Sequence, residues 1–242
     1  MGRHLPLVVL ELVMTDDLED LTLSKRAPVA QQQQSMANKA VVAPNLRSPR
    51  LHLRPPKRED ADAILEALSD RGIAEMTTTI PHPYQRQDAL DWIDVINQSW
   101  AARAENDDDI RGGAFVICHR DSGKLLGACG IRTREDVQFM ELGYWIARDH
   151  WGQGYATEAA HLAIDWAFSA YQIDAIKARY RPINPASQRV LEKCGFQPDG
   201  SELINSVAAG QVLVNTCRLD RAVWRAIRRW GGGTPSLPTE ML

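Results

Sequence analysis

The chain has 242 residues, 44% of them apolar and 24% charged, with a formal net charge of −3. That length holds one sizeable domain with extra segments, or two small domains. The charge excludes an overall basic footprint for nucleic acid, and no apolar run reaches the ~18–20 residues of a membrane helix.

The four cysteines, Cys118, Cys129, Cys194 and Cys217, form no C-x-x-C pair. Three sit inside apolar-rich segments. They read as buried free thiols of a reducing, cytoplasmic compartment rather than as disulfides or a metal site, and no metal is expected.

Residues 1–48 read as a weakly structured or disordered leader. They hold Gln31–Gln34, scattered prolines and no sustained period. Leu5–Met14 is apolar, but Glu11 interrupts it and no small-residue cleavage pattern follows, which argues against a secretory signal. The segment could still form a short docking helix or strand.

Order is expected from Arg50. Arg50–Arg54 alternates as a strand, and Pro55-Pro56 closes it. Glu59–Leu68 carries Ala61, Ile64, Leu65 and Leu68 on one helical face. Met76–Tyr84 is a Thr- and Pro-rich loop. Asp88–Ala104 is a second helix, striped by Ala89, Ile93, Ile96 and Trp100. Asn106–Asp109 is an acidic turn. Gly113–His119 and Leu125–Arg132 flank the turn Asp121-Ser122-Gly123 as a hairpin, and Val137–Ala147 is the next strand.

A polar turn with two glycines follows, and then a helix over Tyr155–Ala170 with Ala159, Leu162, Ala163, Trp166 and Ala170 facing inward. Such a strand–loop–helix junction gathers backbone N–H groups at a helix N-terminus, a ready site for a phosphate. Gly152, Gly154 and Ala156 give only G-x-G-x-A. Tyr155 and Ala156 stand where a nucleotide phosphate loop would carry Lys-Ser/Thr, and the third glycine of a dinucleotide fingerprint is absent. A tight turn that binds nothing is the plain alternative.

Asp174–Arg181 alternates Ile176, Ala178 and Tyr180 against Lys177, Arg179 and Arg181, a strand with one wet face. Asn184–Cys194 is a short helix capped by Asn184, opened by Pro185 and stopped by Gly195. Gln197–Val207 and Val212–Leu219 form a closing hairpin, and Arg221–Arg229 a last basic helix. Residues 231–242 read as a loose tail. The strand–helix–strand unit demands a parallel pairing within an otherwise antiparallel meander. The fold class is therefore α/β: a mixed, mostly antiparallel twisted sheet of about seven strands with helices on both faces, spanning residues 49–230.

The order of elements, with W-G-Q-G-Y-A-T-E-A (Trp151–Ala159) and N-P-A-S-Q-R-V-L-E-K-C-G-F (Asn184–Phe196), resembles the GNAT superfamily of acyl-CoA-dependent N-acyltransferases. Leu53–Pro56 and Gly143–Ile146 fit its RimJ/RimL-type branch, which acetylates protein N-termini and small amines. The resemblance covers roughly residues 50–225. One departure is Trp151, which stands where the superfamily loop usually opens with Arg or Gln.

The resemblance implies an N-acetyltransferase that uses acetyl-CoA as acyl donor and an amine as acceptor, in a ternary complex, as a monomer or homodimer. It places Gly152, Gln153, Gly154, Tyr155, Ala156 and Thr157 around the donor's pyrophosphate. Tyr144, Trp145 and Ile146 would lie along the pantetheine arm, where a backbone N–H could hold the thioester carbonyl. Asn184 and Ser187 would contact the pantetheine, and Ser187 is a candidate acid for the departing thiolate. Tyr84 and Glu141 would meet the acceptor. Glu141 is the only acid of its apolar strand and by period two shares a face with Phe139, Gly143 and Trp145. Burial there is expected to raise its pKa, which suits a general base. Pairing with a neighbouring arginine and simple acceptor positioning stay open. A catalytically silent acyl-CoA-binding module on the same fold is the alternative to an enzyme.

Overall fold

The computed structural model describes residues 44–105, 112–133 and 139–230. The expectations for the leader up to residue 43, for the turn Asn106–Asp109, for residues 134–138 and for the tail 231–242 lie outside the described residues.

The described elements run in chain order as β1 (Leu46–Arg47), β2 (Leu51–Arg54), a 3-10 turn (Arg58–Asp60), α1 (Ala61–Leu68), α2 (Arg71–Ala74), α3 (Arg86–Glu105), β3 (Gly112–His119), β4 (Leu125–Thr133) and β5 (Phe139–Ile146). A 3-10 turn (Arg148–His150) leads to α4 (Tyr155–Ala170), β6 (Ala175–Tyr180), α5 (Pro185–Lys193), β7 (Gln197–Ser206), β8 (Gly210–Asp220) and α6 (Arg221–Trp230). The strands form one sheet in the order β1-β2-β3-β4-β5-β6-β8-β7. Neighbours are antiparallel except β5 and β6, which are parallel. The expected mixed sheet is present, with eight strands among the described residues instead of about seven. The additional strand is β1, which lies inside the expected leader and pairs Leu46 with Leu53.

Alternation along β3 divides the interior. Phe115 and Ile117 join one buried cluster with α4, α5 and the even-numbered side chains of β5. Val116 and Cys118 join a second with α1, α2 and α3. Helices thus cover both faces. The far end of α3 also reaches the first cluster, where Trp100 packs 5.2 Å from Phe115 and 5.7 Å from Trp166. Gly113 makes room for that ring: a Cβ there would come within 2.2 Å of Trp100. All four cysteines are buried and free, as the apolar context predicts.

Helix α4 keeps Ala159, Ala163 and Trp166 inward, but Ala170, its last residue, is exposed. That end is held by Arg221. Its guanidinium donates to the carbonyls of Phe168 at 2.8 Å and Ile173 at 2.7 Å, and to that of Tyr171. The Phe168 carbonyl is among the acceptors that a helix C-terminus leaves without partners, and Tyr171 is the C-cap of α4.

Leu46 is buried, 7% exposed, in the same cluster as Trp166. Leu46→Ala should therefore lower the free energy of unfolding by about 2 kcal/mol, the lower end of buried leucine truncations. The shift in urea midpoint measures it, and an unchanged midpoint would show that β1 contributes nothing.

Candidate active site

The site forms where the parallel pair parts. β5 and β6 match Phe139 with Ala175 through Leu142 with Ala178, and there the pairing ends. β5 runs on to Ile146 and β6 to Tyr180, each still paired on its other side. The Ala147 N–H bonds the Leu126 carbonyl at 2.8 Å. By strand alternation the N–H and C=O of Tyr144 and Ile146 then point away from β4, toward the opening. The Ile146 carbonyl is taken by the Trp151 indole N–H at 2.6 Å. The expected donors along Tyr144–Ile146 are thus the backbone N–H groups of Tyr144 and Ile146.

The glycine loop lies just beyond. Gly152 has φ 75° and Gly154 φ 81°, left-handed values that a Cβ disfavours. Gly154 is the N-cap of α4, and no side chain caps that helix. Gly152, Gln153 and Gly154 are exposed, and Tyr155, Ala156 and Thr157 are half-buried. The first turn of α4 thus presents its backbone donors and the positive end of its dipole at the surface.

On the α4–α5 face of the opening, Tyr144 meets Ser187. The two hydroxyls are 2.9 Å apart, and the Tyr144 O–H also lies 3.3 Å from the Ser187 carbonyl. Ser187 is held in place because its N–H donates to the Asn184 side chain at 3.0 Å, the expected cap of α5. Burial pushes the Tyr144 phenol well above its ordinary value, and the Ser187 hydrogen bond only partly offsets this. The phenol keeps its proton, and its hydroxyl donates to the Ser187 carbonyl. The resemblance pointed to the Tyr144 backbone and missed its hydroxyl. The signal was available, since period two places Tyr144 on the face of Met140 and Leu142, toward α5.

The opposite face holds Glu141, buried at 9% exposure. Arg132 of β4 donates to it at 2.8 Å, and Arg179 of β6 contacts both of its oxygens at 3.0 and 2.9 Å. Arg179 continues to Glu202 of β7 at 3.2 Å, reaching across β8. An ion-pair chain thus runs Arg132–Glu141–Arg179–Glu202 over the sheet. Here the sequence expectation fails. Burial does push the Glu141 carboxyl up, but the two arginines outweigh it, and the net shift is downward from the ordinary 4.5. A carboxylate so held is a poor general base. The open alternative, a carboxylate paired with arginine, is the arrangement found. The strand period located Glu141 but not its partners. Arg179, expected on a wet face, has a side chain only 13% exposed because this pairing covers it.

Tyr84 lies apart from that chain. It and Trp145 both pack against the α1–α3 cluster. Burial raises the Tyr84 phenol, with Asp88 and Asp91 adding to the shift. His82 is exposed. The loop before α3 is tied down at Thr77, whose carbonyl accepts the Ser206 hydroxyl at 2.9 Å, and at Thr78, whose carbonyl accepts the Val207 N–H at 2.9 Å. Among the described residues no cluster of three or more His, Cys, Asp or Glu could hold a metal, and no helix is long and apolar enough to cross a membrane.

Comparison with known proteins places these features in context. The family model described as an acetyltransferase (GNAT) domain matches residues 50–197. The Bacillus licheniformis protein described as uncharacterized N-acetyltransferase p20 is 31% identical over 154 residues, 62% of this chain and 81% of its own. Among solved structures, Mycobacterium smegmatis RimJ in complex with CoA-disulfide superposes with a TM-score of 0.60 at 23% identity, covering 78% of this chain and 93% of that one. The Vibrio fischeri ribosomal-protein-S5-alanine acetyltransferase gives 0.62 at 20% identity, covering 75% and 99%. At these identities the structural matches establish the fold.

The depressed Glu141 fixes a sign. Its ionised form stabilises the fold fully above 4.5, and that contribution is lost as pH falls through the lower folded-state value. Glu141→Gln leaves two arginines short of a charge partner and should cost about 3 kcal/mol at neutral pH. The gap to the wild type should narrow steadily on acidification below 4.5. Denaturant unfolding across that range measures it, and a gap independent of pH would contradict the ion-pair account.

Proposed function

The chain belongs to the GNAT acetyltransferase family, and we propose that it transfers the acetyl group of acetyl-CoA to a primary amine by direct attack in a ternary complex. The observation that carries this reading is the conjunction of the uncapped N-terminus of α4, the parting of β5 and β6, and the Tyr144–Ser187 pair. One end suits a pyrophosphate, the middle offers strand-like backbone donors and the far end offers a hydroxyl pair. This is the polarity of a coenzyme A thioester laid out along its length. The similar Mycobacterium smegmatis protein is described in complex with a CoA-disulfide, which supports a coenzyme A donor.

In this reading the N–H groups of Gly152–Thr157 hold the pyrophosphate. Asn184, through its cap on α5, holds Ser187 beside the pantetheine, and Trp145 lies along the same arm. The N–H groups of Tyr144 and Ile146 face the thioester carbonyl and stabilise its developing oxyanion. The neutral amine attacks the carbonyl carbon, the C–S bond breaks, and the electron pair leaves on sulfur. Tyr144, oriented by Ser187, donates its hydrogen bond to that developing thiolate. Its raised pKa makes it a stabilising donor that does not lose its proton early. Glu141 keeps β4, β5 and β6 in register at the opening instead of taking the amine's proton, which leaves for solvent. Tyr84 flanks the acceptor. The acceptor is a protein N-terminus or a small amine, and the Vibrio fischeri relative, described as acting on a ribosomal-protein alanine, favours the first.

Acetyl-CoA should stabilise the fold by about 2.7 kcal/mol at roughly one hundred times its dissociation constant. Gly154→Val should abolish that gain, since a β-branched side chain is strained at φ 81° and stands in the phosphate's path. The absence of any melting shift with acetyl-CoA on the wild type would overturn the reading. Tyr144→Phe should leave that shift intact while lowering kcat about a hundredfold, the lower range for a positioned proton or hydrogen-bond donor. Release of free CoA in the presence of an amine panel reports the turnover.

A further inference from the structure

The glycine loop is gripped from behind by a residue outside both sequence motifs. Arg50, in the turn between β1 and β2, reaches three points of the loop and the first turn of α4. Its Nη1 donates to the Gln153 carbonyl at 3.0 Å. Its Nε and Nη2 bind Glu158 Oε2 at 2.7 and 2.6 Å. Its guanidinium carbon lies 4.8 Å from the centre of the Tyr155 ring. Glu158 is held on its other oxygen by the Ser48 hydroxyl at 2.6 Å and the Arg50 N–H at 3.2 Å.

Two consequences follow for an anion at this helix end. A carboxylate in the first turn of a helix occupies the place where the dipole favours negative charge, and it would repel a phosphate bound nearby. Every contact found on Glu158 draws it toward Ser48 and Arg50, and Arg50 supplies the opposite charge. The second consequence is geometric. Across a trans peptide the C=O and the following N–H point in opposite directions. Arg50 holds the Gln153 carbonyl toward itself, so the Gly154 N–H is turned away from Arg50 and outward from the loop. Gly154 is a glycine at φ 81°, and without that bond its peptide could rotate at little cost.

We propose that Arg50 is a positioning residue for acyl-donor recognition: by binding Glu158 and the Gln153 carbonyl together, it neutralises the carboxylate behind the loop and aims the Gly154 N–H at the donor's pyrophosphate. This rests on the acyl-donor reading above. It separates the donor into two parts, because Arg50 acts on the phosphates and has no bearing on the pantetheine arm.

The test is calorimetric binding of coenzyme A and of pantetheine, which lacks the phosphates, to the full chain and its variants. Arg50→Ala should weaken coenzyme A by about tenfold or more, the scale of one charge-assisted hydrogen bond, and leave pantetheine unchanged. Arg50→Lys keeps the charge but cannot bridge two acceptors as a planar fork does, so its affinity for coenzyme A should fall between the two. This milder variant also carries the test should Arg50→Ala fail to fold. Undiminished coenzyme A binding by Arg50→Ala would overturn the inference, as would an equal loss for both ligands, which marks a merely structural role. A wild type that binds coenzyme A no better than pantetheine would instead sink the phosphate-loop reading itself.

Discussion

The end of the β5–β6 pairing is the constraint on which the rest of the site depends. Parallel strands cannot be joined by a tight turn, so α4 must cross over between them. That crossover places a helix N-terminus at the carboxyl end of β5, beside the gap the two strands leave. Backbone groups in such a gap need partners. The Ile146 carbonyl finds one in Trp151, while the N–H groups of Tyr144 and Ile146 lie beyond the last paired residues of β5 and β6. The ion pairs of Glu141 lie on the last stretch of intact pairing, one residue before Leu142 and Ala178. A buried pair of this kind adds little net stability over an apolar replacement, yet breaking it is expensive. It ties β4, β5 and β6 together next to the place where the sheet opens.

The opening has two chemically distinct faces, and neighbouring residues divide between them. Tyr144 turns toward α5 and a neutral hydroxyl pair. Trp145 turns toward the α1–α3 cluster, on the side of Glu141. A leaving thiolate needs a donor that holds its proton, which a buried phenol supplies. The other face carries formal charge, but Glu141 is matched by two arginines and Arg179 by two carboxylates. That face therefore presents a paired surface rather than a bare acid.

Local signals made much of this legible in the sequence. Helix α4 is found over the residues the pattern marks, because a glycine N-cap and a strong apolar stripe bound it. The Asn184 cap, Pro185 and the stop at Gly195 do the same for α5. Period two put Glu141 on a buried face correctly. It could not give the sign of the pKa shift, because that sign depends on Arg132 and Arg179, and Arg179 lies 38 residues away. The Tyr144–Ser187 pair spans 43 residues and the Arg50–Gln153 bond 103. Periodicity states which face a side chain takes and is silent on which distant residue it meets. β1 was missed for a related reason: two residues are too few to show alternation, and Leu46 is buried by partners distant in sequence, in the cluster that holds Trp166.

The two helix starts near the site show how stability and binding divide. Helix α5 begins with Asn184, whose side chain accepts the Ser187 N–H and closes one of the free donors. Helix α4 begins with Gly154, which has no side chain to offer. A capping side chain stabilises a helix by about 1 kcal/mol relative to an apolar one, and glycine falls only a few tenths short because water reaches the exposed donors. The glycine start is therefore nearly neutral for the empty protein. It becomes favourable once an anion takes the place of that water, since a fixed negative charge meets aligned N–H groups and a helix dipole together. A serine or aspartate at residue 154 would cap the helix from within and compete for the same donors, and it would also have to bear φ 81°. Only an uncapped glycine leaves the first turn of α4 open while keeping the turn from β5 short, and that places the donors at the mouth of the gap.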